Sequence, residues 1–262
     1  MKRTLIAPSL DDFPAALHSL LDGARVYDSS CSPEARVVYI EKDSGLYLKS
    51  APVGTLSREA AMTRFFHSKG LGTEVLDYRT ENGRDWMLTV RVPGEDCTHT
   101  NYISNPERLC DLTATLLREL HSVDTANCPI PNHTASYLAL AEQNHRIGRY
   151  DASLFPDNWG YASADDAWQV IQNEGHLLEN DTLLHGDYCL PNIMLNDWRF
   201  SGFIDLGNGG VGDRHVDLFW GAWSLFFNLK TDRYRDRFFD AYGRDAINLD
   251  MLRVVAACEV FG

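Results

Sequence analysis

Short β-like runs alternate with polar turns through the first third of the chain and predict a small antiparallel sheet. Residues 36–40 and 46–49 are two such runs, separated by a Lys-Asp-Ser-Gly turn, and residues 73–78 and 86–92 are two more. An Asn-Gly dipeptide, typical of two-residue hairpin turns, lies between the second two runs. The pattern therefore predicts two hairpins of one sheet.

One helix is predicted inside this sheet region. Ser57 is a suitable N-cap for a helix over 58–68, and Gly70 is a suitable stop. Glu59 lies in the first turn of that helix, where an acid is favourable for the helix dipole. The alternative is that Glu59 pairs with a strand lysine and holds it in place. Because Lys49 comes just before it in the chain, we favour the pairing.

After residue 92 the pattern changes from alternation to helical periodicity. Pro106 begins an amphipathic helix that ends at His121. Helices with a loop near 151–165 are expected next. Residues 216–227 are apolar almost all round, which predicts a buried helix, with an aromatic ligand-binding surface as the alternative. Two further helices are expected, at 231–242 and 250–261.

A polar loop between short apolar strands carries the clearest chemical signal. His185 and Asp187 follow one strand, Asn192 precedes the next, and Asp205 follows a third. Each residue alone could be a capping acid or a turn former. Together they suit phosphoryl transfer, in which one carboxylate accepts or orients a hydroxyl proton while an Asn and a second Asp hold Mg²⁺ against the phosphates.

The first hairpin supplies the matching nucleotide half of such a site. A small-residue loop at 29–33 precedes it, and Lys49 ends its second strand. In kinase-like enzymes a loop of this kind covers the phosphates, and the strand lysine reaches the α- and β-phosphates. The fixed order of loop, lysine, glutamate and the two later acidic motifs is a stronger signal than any single motif.

Composition narrows the class of partner. The 262 residues are 44% hydrophobic and 23% charged, as in an ordinary globular enzyme, and the net charge is −13. That charge argues against a nucleic-acid partner and suits a cationic small molecule, although a solvated acidic surface is the plainer interpretation. The six cysteines show no CxxC spacing, and no apolar run is long enough for a membrane helix. We therefore expect a cytoplasmic protein without a membrane partner.

The motifs as a whole resemble the aminoglycoside phosphotransferase family, and most closely its 3′-hydroxyl branch. The resemblance implies an α+β, protein-kinase-like fold of two lobes. An N-lobe over 1–92 would hold a nucleotide-binding antiparallel sheet with one helix, and a largely helical C-lobe over 93–262 would hold the catalytic loop and acceptor-binding helices. The resemblance is carried by four stretches, at 185–194, 200–205, 212–214 and 259–261.

The same resemblance implies the reaction and the residues that perform it. The γ-phosphate of ATP, or alternatively GTP, would pass with Mg²⁺ to an aminoglycoside hydroxyl and inactivate the drug. Asp187 would be the catalytic base or hydroxyl-orienting acceptor, Asn192 and Asp205 would ligate Mg²⁺, and His185 and Asp217 would order the catalytic loop. The implied nucleotide-binding residues are Cys31, Ser32, Tyr47, Lys49, Glu59, Val90 and Val92. The implied acceptor-binding residues are Asp157, Glu259 and Phe261.

Three positions depart from the 3′-enzymes. Asn208 and Trp223 stand where an Arg is common, and Cys258 replaces an acid before Glu259. These departures keep open a kinase of another small hydroxyl compound, and less favourably a nucleotide-binding module without catalysis. The stretch between Gly207 and Leu218 is too short for an activation segment and a peptide-docking platform, so a protein substrate is not expected. We expect a monomer or a weak homodimer.

Overall fold

The computed structural model describes residues 3–154 and 161–262. The chain divides into two compact units. The first comprises Met1–His99 and Pro191–Asn208, and the second comprises Thr100–Leu190 and Gly209–Gly262. The division at residue 92 into a nucleotide-binding and an acceptor-binding lobe stays a prediction.

Antiparallel strands make up most of the first unit. Each strand predicted near the N-terminus is present. The second continues three residues beyond Lys49 to Pro52, and the third and fourth begin and end a few residues away from the predicted limits. The strands in the described part of the chain are β1 (Thr4–Ile6), β2 (Arg25–Asp28), β3 (Arg36–Glu41), β4 (Leu46–Pro52), β5 (Val75–Glu81), β6 (Arg84–Val90), β7 (Glu95–Asp96), β8 (Thr182–Leu184), β9 (Ile193–Asn196), β10 (Arg199–Phe203) and β11 (Gly210–Gly212).

Helices make up most of the second unit. The α-helices among the described residues are α1 (His18–Leu21), α2 (Ser57–Ser68), α3 (Thr100–Ile103), α4 (Pro106–His121), α5 (His133–Arg146), α6 (Ala164–Glu174), α7 (His215–Leu229), α8 (Arg235–Tyr242) and α9 (Leu249–Glu259). None of them is both long enough and apolar enough to cross a membrane.

The first unit is built on a six-stranded antiparallel sheet in the order β1-β2-β3-β4-β6-β5. Alternation along β4 directs Leu46 and Leu48 into an apolar core with Ile40 and Trp86. It directs Tyr47 and Lys49 to the opposite face. A smaller antiparallel sheet, β10-β9-β7, completes this unit. Tyr47 and Lys49 are therefore held by a fixed register.

The second unit is a helical assembly with one short strand pair, β11-β8. Helix α4 packs against α8, and α9 packs against α6 and α7. The predicted amphipathic stripe of α4 is confirmed, because Leu109, Leu117 and Leu120 are fully buried. Helix α7 is buried over most of its length, as predicted, but Phe226 and Phe227 near its end are about half exposed.

Two local predictions were wrong. Ser57 is the first residue of α2 and not its N-cap, because its hydroxyl donates to the Gly54 carbonyl (3.1 Å). The buried Asp85 holds the segment that leads into the helix, since its carboxylate accepts the amides of Gly54 (2.8 Å) and Leu56 (3.1 Å). The helix predicted over 231–242 begins only at Arg235.

Candidate active site

The first unit contains a cavity of about 700 Å³ on the Lys49 face of the sheet. Every residue that lines it belongs to this unit. The structure brings all of the sequence-predicted nucleotide-binding residues to the cavity wall, together with Asp205. These residues are Cys31, Ser32, Tyr47, Lys49, Glu59, Val90 and Val92.

Lys49 is the centre of an ion-paired triad in this wall. Its Nζ donates to both carboxylate oxygens of Glu59 (2.9 and 2.8 Å) and to Oδ1 of Asp205 (2.6 Å). The pairing of Lys49 with Glu59 predicted from the sequence is therefore present. Glu59 lies on α2 and Asp205 follows β10, so two different elements hold the lysine on β4.

Two carboxylates share one ammonium in this triad, and this arrangement determines how the pKa values of Lys49 and Glu59 are shifted. Burial opposes the charge on Lys49, but Asp205 and Glu59 outweigh it and raise the pKa of the lysine. Burial raises the pKa of Glu59, and the charge of Asp205 adds to this, while Lys49 opposes it. The ionised triad carries one net negative charge. The Asp205 side chain, 55% exposed, is the part accessible to a ligand.

Asn192 and Asp205 lie at the same end of the β9-β10 hairpin. Residues Ile193 and Phe203 are paired across the two strands, and the Asn192 carbonyl accepts the Ile204 amide (3.1 Å). Asp205 has a φ of 59°, in the left-handed region that Asp tolerates better than most residues. A carboxylate and an amide oxygen are the hard donors that Mg²⁺ prefers, so the pair fits this metal.

Val90, the last residue of β6, and Val92, two residues later, are the two positions whose backbone is predicted to contact the base. The Val90 amide donates to the Glu74 carbonyl (3.1 Å), and the Val90 carbonyl accepts the Thr73 hydroxyl. Val92 makes no backbone hydrogen bond within the described residues. Val92 therefore offers both a donor and an acceptor to a ligand, whereas Val90 offers one remaining lone pair of its carbonyl.

In the second unit, Asp217 on α7 fixes the loop that carries Asp187. Its fully buried carboxylate accepts the amides of His185 and Gly186, both at 2.8 Å. His121 lies 3.2 Å from Asp217 Oδ2 through Nε2 and 2.8 Å from the Tyr242 hydroxyl through Nδ1. Burial lowers the pKa of His121, although Asp217 opposes the shift, so a neutral imidazole is favoured. Asp187 itself is half-buried.

Glu259 at the end of α9 is a buried acid with neutral hydrogen-bond partners. Its Oε1 accepts from the Tyr137 hydroxyl (2.7 Å) and the Trp220 indole N–H (3.0 Å). Burial raises the pKa of Glu259 to about 7, with a contribution from the charge of Asp187, while the two hydrogen bonds oppose the shift. The group therefore changes charge near neutrality, and a cation beside it would favour the ionised form.

The other two residues predicted to bind the acceptor are Phe261, which the structure describes, and Asp157, which it does not. The Phe261 ring is buried and meets His145 (5.4 Å between ring centroids) and Trp168 (6.2 Å) edge-on. Its contact with an acceptor stays a prediction. Asp157 lies outside the described residues.

Sequence reasoning missed several residues of these networks. His121, Tyr242, Tyr137 and Trp220 carry no motif, and each reaches its partner across a long stretch of chain. Arg3 lines the cavity of the first unit and was also not singled out. Only the tertiary structure brings these side chains to the functional groups.

A strand lysine paired with a helix glutamate, beside the carboxylate of an Asp-x-Gly motif, is the arrangement of kinase-like phosphotransferases. Comparison with known proteins gives the family directly. The chain belongs to the phosphotransferase enzyme family, whose model matches residues 33–255. It is accordingly a phosphotransferase.

Individual relatives agree with this assignment. The chain is 50% identical over 254 residues to a "probable aminoglycoside 3′-phosphotransferase" of Lactococcus lactis, with 97% of each chain covered. It is 27% identical over 218 residues to an aminoglycoside 3′-phosphotransferase of Niallia circulans, covering 82% of this chain and 83% of the relative.

Solved structures show the same fold. An aminoglycoside 3′-phosphotransferase of type VIII superposes with a TM-score of 0.77 at 22% identity, covering 97% of this chain and 99% of the other. A Streptomyces rimosus aminoglycoside phosphotransferase in complex with ADP and streptomycin gives a TM-score of 0.69 at 22% identity, covering 86% and 90%. The predicted α+β class is confirmed by these neighbours and by the antiparallel sheets and helices of the chain.

Proposed function

We propose that this protein transfers the γ-phosphate of ATP to a hydroxyl of an aminoglycoside antibiotic, at the 3′ position, with Mg²⁺, and so confers resistance. The observation that carries the proposal is the Lys49 triad in the wall of a cavity lined by all the predicted nucleotide-binding residues. The relative that is 50% identical carries the name of this activity. The ADP complex of a structural neighbour supports an adenine nucleotide over the alternative, GTP.

In this proposal the first unit binds the nucleotide. Lys49 contacts the α- and β-phosphates while Glu59 keeps its ammonium in position. The free backbone groups of Val92 read the edge of the base, and Tyr47 packs against its face. Asn192 and Asp205 hold Mg²⁺, which neutralises charge on the phosphate oxygens. The net negative charge of the triad favours binding of a divalent cation there.

The second unit acts on the acceptor in this proposal. Asp187 orients the acceptor hydroxyl and receives its proton. As the new bond from that oxygen to the γ-phosphorus forms, the bond from phosphorus to the β,γ-bridging oxygen breaks and ADP leaves. Positioning and charge neutralisation dominate such a reaction. Glu259 pairs with an ammonium group of the acceptor.

A second candidate is a kinase of another small hydroxyl compound. The observation that favours it is the aromatic row on α7, where the Trp223 ring stacks on Phe227 with centroids 4.9 Å apart and meets Trp220 edge-on at 5.4 Å. With Cys258 buried beside Glu259, this surface is more aromatic and less acidic than in a typical 3′-enzyme. Such a surface would suit a less cationic acceptor.

An ADP-release assay over aminoglycosides with and without a 3′-hydroxyl tests the proposal. Turnover is expected only with the 3′-hydroxyl compounds. Asp187→Ala should lower turnover by roughly a thousandfold and leave ATP binding nearly unchanged, because the residue acts on the hydroxyl. Asp165→Ala, a change of an exposed acid in the same unit, is the matched control. Equal ADP release with and without a 3′-hydroxyl on the acceptor would favour the second candidate. Full turnover by Asp187→Ala would refute the catalytic role of Asp187.

A further inference from the structure

Arg3, just before β1, lies in the wall of the cavity that we propose for the nucleotide. Its guanidinium carbon is 3.7 Å from the centroid of the Tyr39 ring, and its Nη2 donates to the Tyr47 hydroxyl at 2.7 Å. The two tyrosine rings are 5.2 Å apart on neighbouring strands. A cation–π contact and a hydrogen bond therefore hold the arginine head group at a defined place on the wall.

The charge of Arg3 is not neutralised there. Three cations line the cavity, and of these Lys49 is paired with two carboxylates while Arg91 donates to the Gly94 carbonyl (3.2 Å). Within the described residues Arg3 has no carboxylate partner, and its head group contacts the two tyrosines. A guanidinium has five N–H donors, so most of them are available to a ligand.

The register of the sheet places this charge close to the phosphate-binding lysine. Tyr47 and Lys49 are two positions apart on β4 and point to the same face, which separates them by about 6.7 Å along the strand. Thr4 on β1 is paired with Asp28, next to the loop predicted to cover the phosphates. The Arg3 head group thus lies within reach of a ligand that runs from Tyr47 to Lys49.

We infer that Arg3 is a nucleotide-binding residue that pairs with the phosphate chain of a nucleoside triphosphate. The inference rests on the proposed function, because it assumes that the cavity binds a nucleotide. Nucleotide phosphates are strong acceptors of guanidinium N–H groups, and an unpaired cation in a chain of net charge −13 offers them a local attraction. The two tyrosines keep the arginine in place before the ligand arrives.

The experiment compares ATP with adenosine, which has the base and ribose but no phosphate. Arg3→Gln should weaken ATP binding about fivefold to tenfold, and it should leave adenosine binding unchanged. Arg3→Lys keeps the charge and should stay within about twofold of the wild type. The salt dependence of ATP binding should be shallower in Arg3→Gln, because one phosphate contact is lost.

Arg25→Gln is the matched control. Its guanidinium lies 5.5 Å from the ring centroid of Tyr27 on the same sheet, and it pairs with Glu41 (3.2 Å) outside the residues that line the cavity. It should bind ATP like the wild type. Denaturant unfolding of each variant confirms that the sheet is intact.

Two outcomes would overturn the inference while leaving the proposed function standing. One is an equal loss of ATP and adenosine affinity in Arg3→Gln, which would mean that Arg3 only supports the tyrosines. The other is unchanged ATP binding in Arg3→Gln. A wild-type chain that binds neither ATP nor adenosine would overturn the proposed function and this inference together.

Discussion

The two units hold their key carboxylates in different ways. In the first unit Glu59 and Asp205 share a charged partner, the ammonium of Lys49. In the second unit Asp217 and Glu259 are buried, and their partners are backbone amides, a phenol, an indole and a histidine whose neutral form is favoured by burial.

The two arrangements suit different roles of a carboxylate. A charged partner compensates most of the desolvation cost and fixes the position of the cation as well as the acid. At Glu259 the neutral donors orient the carboxylate but leave its charge uncompensated, so this group either binds a cationic ligand or takes up a proton. The first arrangement suits a lysine that must stay in place, and the second suits recognition of a cationic acceptor.

Among the changes that test this contrast, removal of the charged pairing should have the largest effect on turnover. Lys49→Met leaves Glu59 and Asp205 close together without their cation, and the phosphates lose their ammonium partner. Turnover should fall by roughly a hundredfold with a raised KM for ATP, and unfolding free energy should fall by about 1–3 kcal/mol. Steady-state kinetics and urea unfolding measure both.

Lys42→Met is the control for this change. Lys42 lies in the turn that precedes β4 and donates to the Ser19 carbonyl (2.7 Å), and it does not line the cavity as described. Its kinetics should match the wild type. Nearly normal KM for ATP in Lys49→Met would contradict the phosphate-binding role.

Removing the charge of Asp217 should have the next largest effect. In Asp217→Asn an amide N–H₂ must face one of the amides of His185 or Gly186, so one buried donor loses its acceptor. Unfolding free energy should fall by about 2–4 kcal/mol, and turnover should fall at least tenfold because the loop of Asp187 is less ordered. Asp181→Asn, at an exposed acid of the same unit, controls for a general effect of lost charge. Wild-type stability in Asp217→Asn would show that the amides find other partners.

The sequence predicted the first arrangement much better than the second. Lys49, Glu59 and Asp205 each lie at a recognisable place, a strand of the first hairpin, a first helical turn and a motif after a strand, so their order along the chain indicated that they meet. Asp217 and Glu259 came from family resemblance. Their partners His121, Tyr137 and Trp220 could not be predicted, because hydrogen bonds between side chains far apart in sequence leave no local pattern. The hydrogen bonds from Asp85 to the segment before α2 could not be predicted for the same reason.

The pH dependence of acceptor binding should be carried by Glu259. An ammonium group binds the carboxylate form, and the pKa of Glu259 is about 7. The KM for the acceptor should therefore decrease as pH rises from about 6 to about 8, while the KM for ATP should not follow this profile. In Glu259→Gln the acceptor KM should be roughly tenfold higher at the upper pH, and the part of the profile centred near pH 7 should be absent.

Ionisation of Glu259 should lower the stability of the fold, whereas it should strengthen binding of the acceptor. The pKa of Glu259 is raised above its ordinary value of 4.5, so the folded chain binds this proton more tightly than the unfolded chain. Its ionisation costs stability as pH rises from about 4.5 through about 7. Glu259→Gln should remove that part of the dependence of the melting temperature on pH. If the pH dependence of the acceptor KM is unchanged in Glu259→Gln, the ammonium group of the acceptor binds at another residue.

The smallest effect is expected from removing one neutral donor. Tyr137→Phe deletes the hydroxyl that donates to Glu259 at 2.7 Å and retains the ring that stacks on His133 (5.7 Å between centroids). Because this hydrogen bond lowers the pKa of Glu259, its loss should move the midpoint of the acceptor profile up by about half a pH unit. Trp220→Phe should act in the same direction, and Tyr234→Phe, a change elsewhere in the same unit, should not. A downward movement of the midpoint in both variants would mean that the two donors stabilise the protonated form of Glu259. It would contradict the view that neutral donors orient an ionised carboxylate in the second unit.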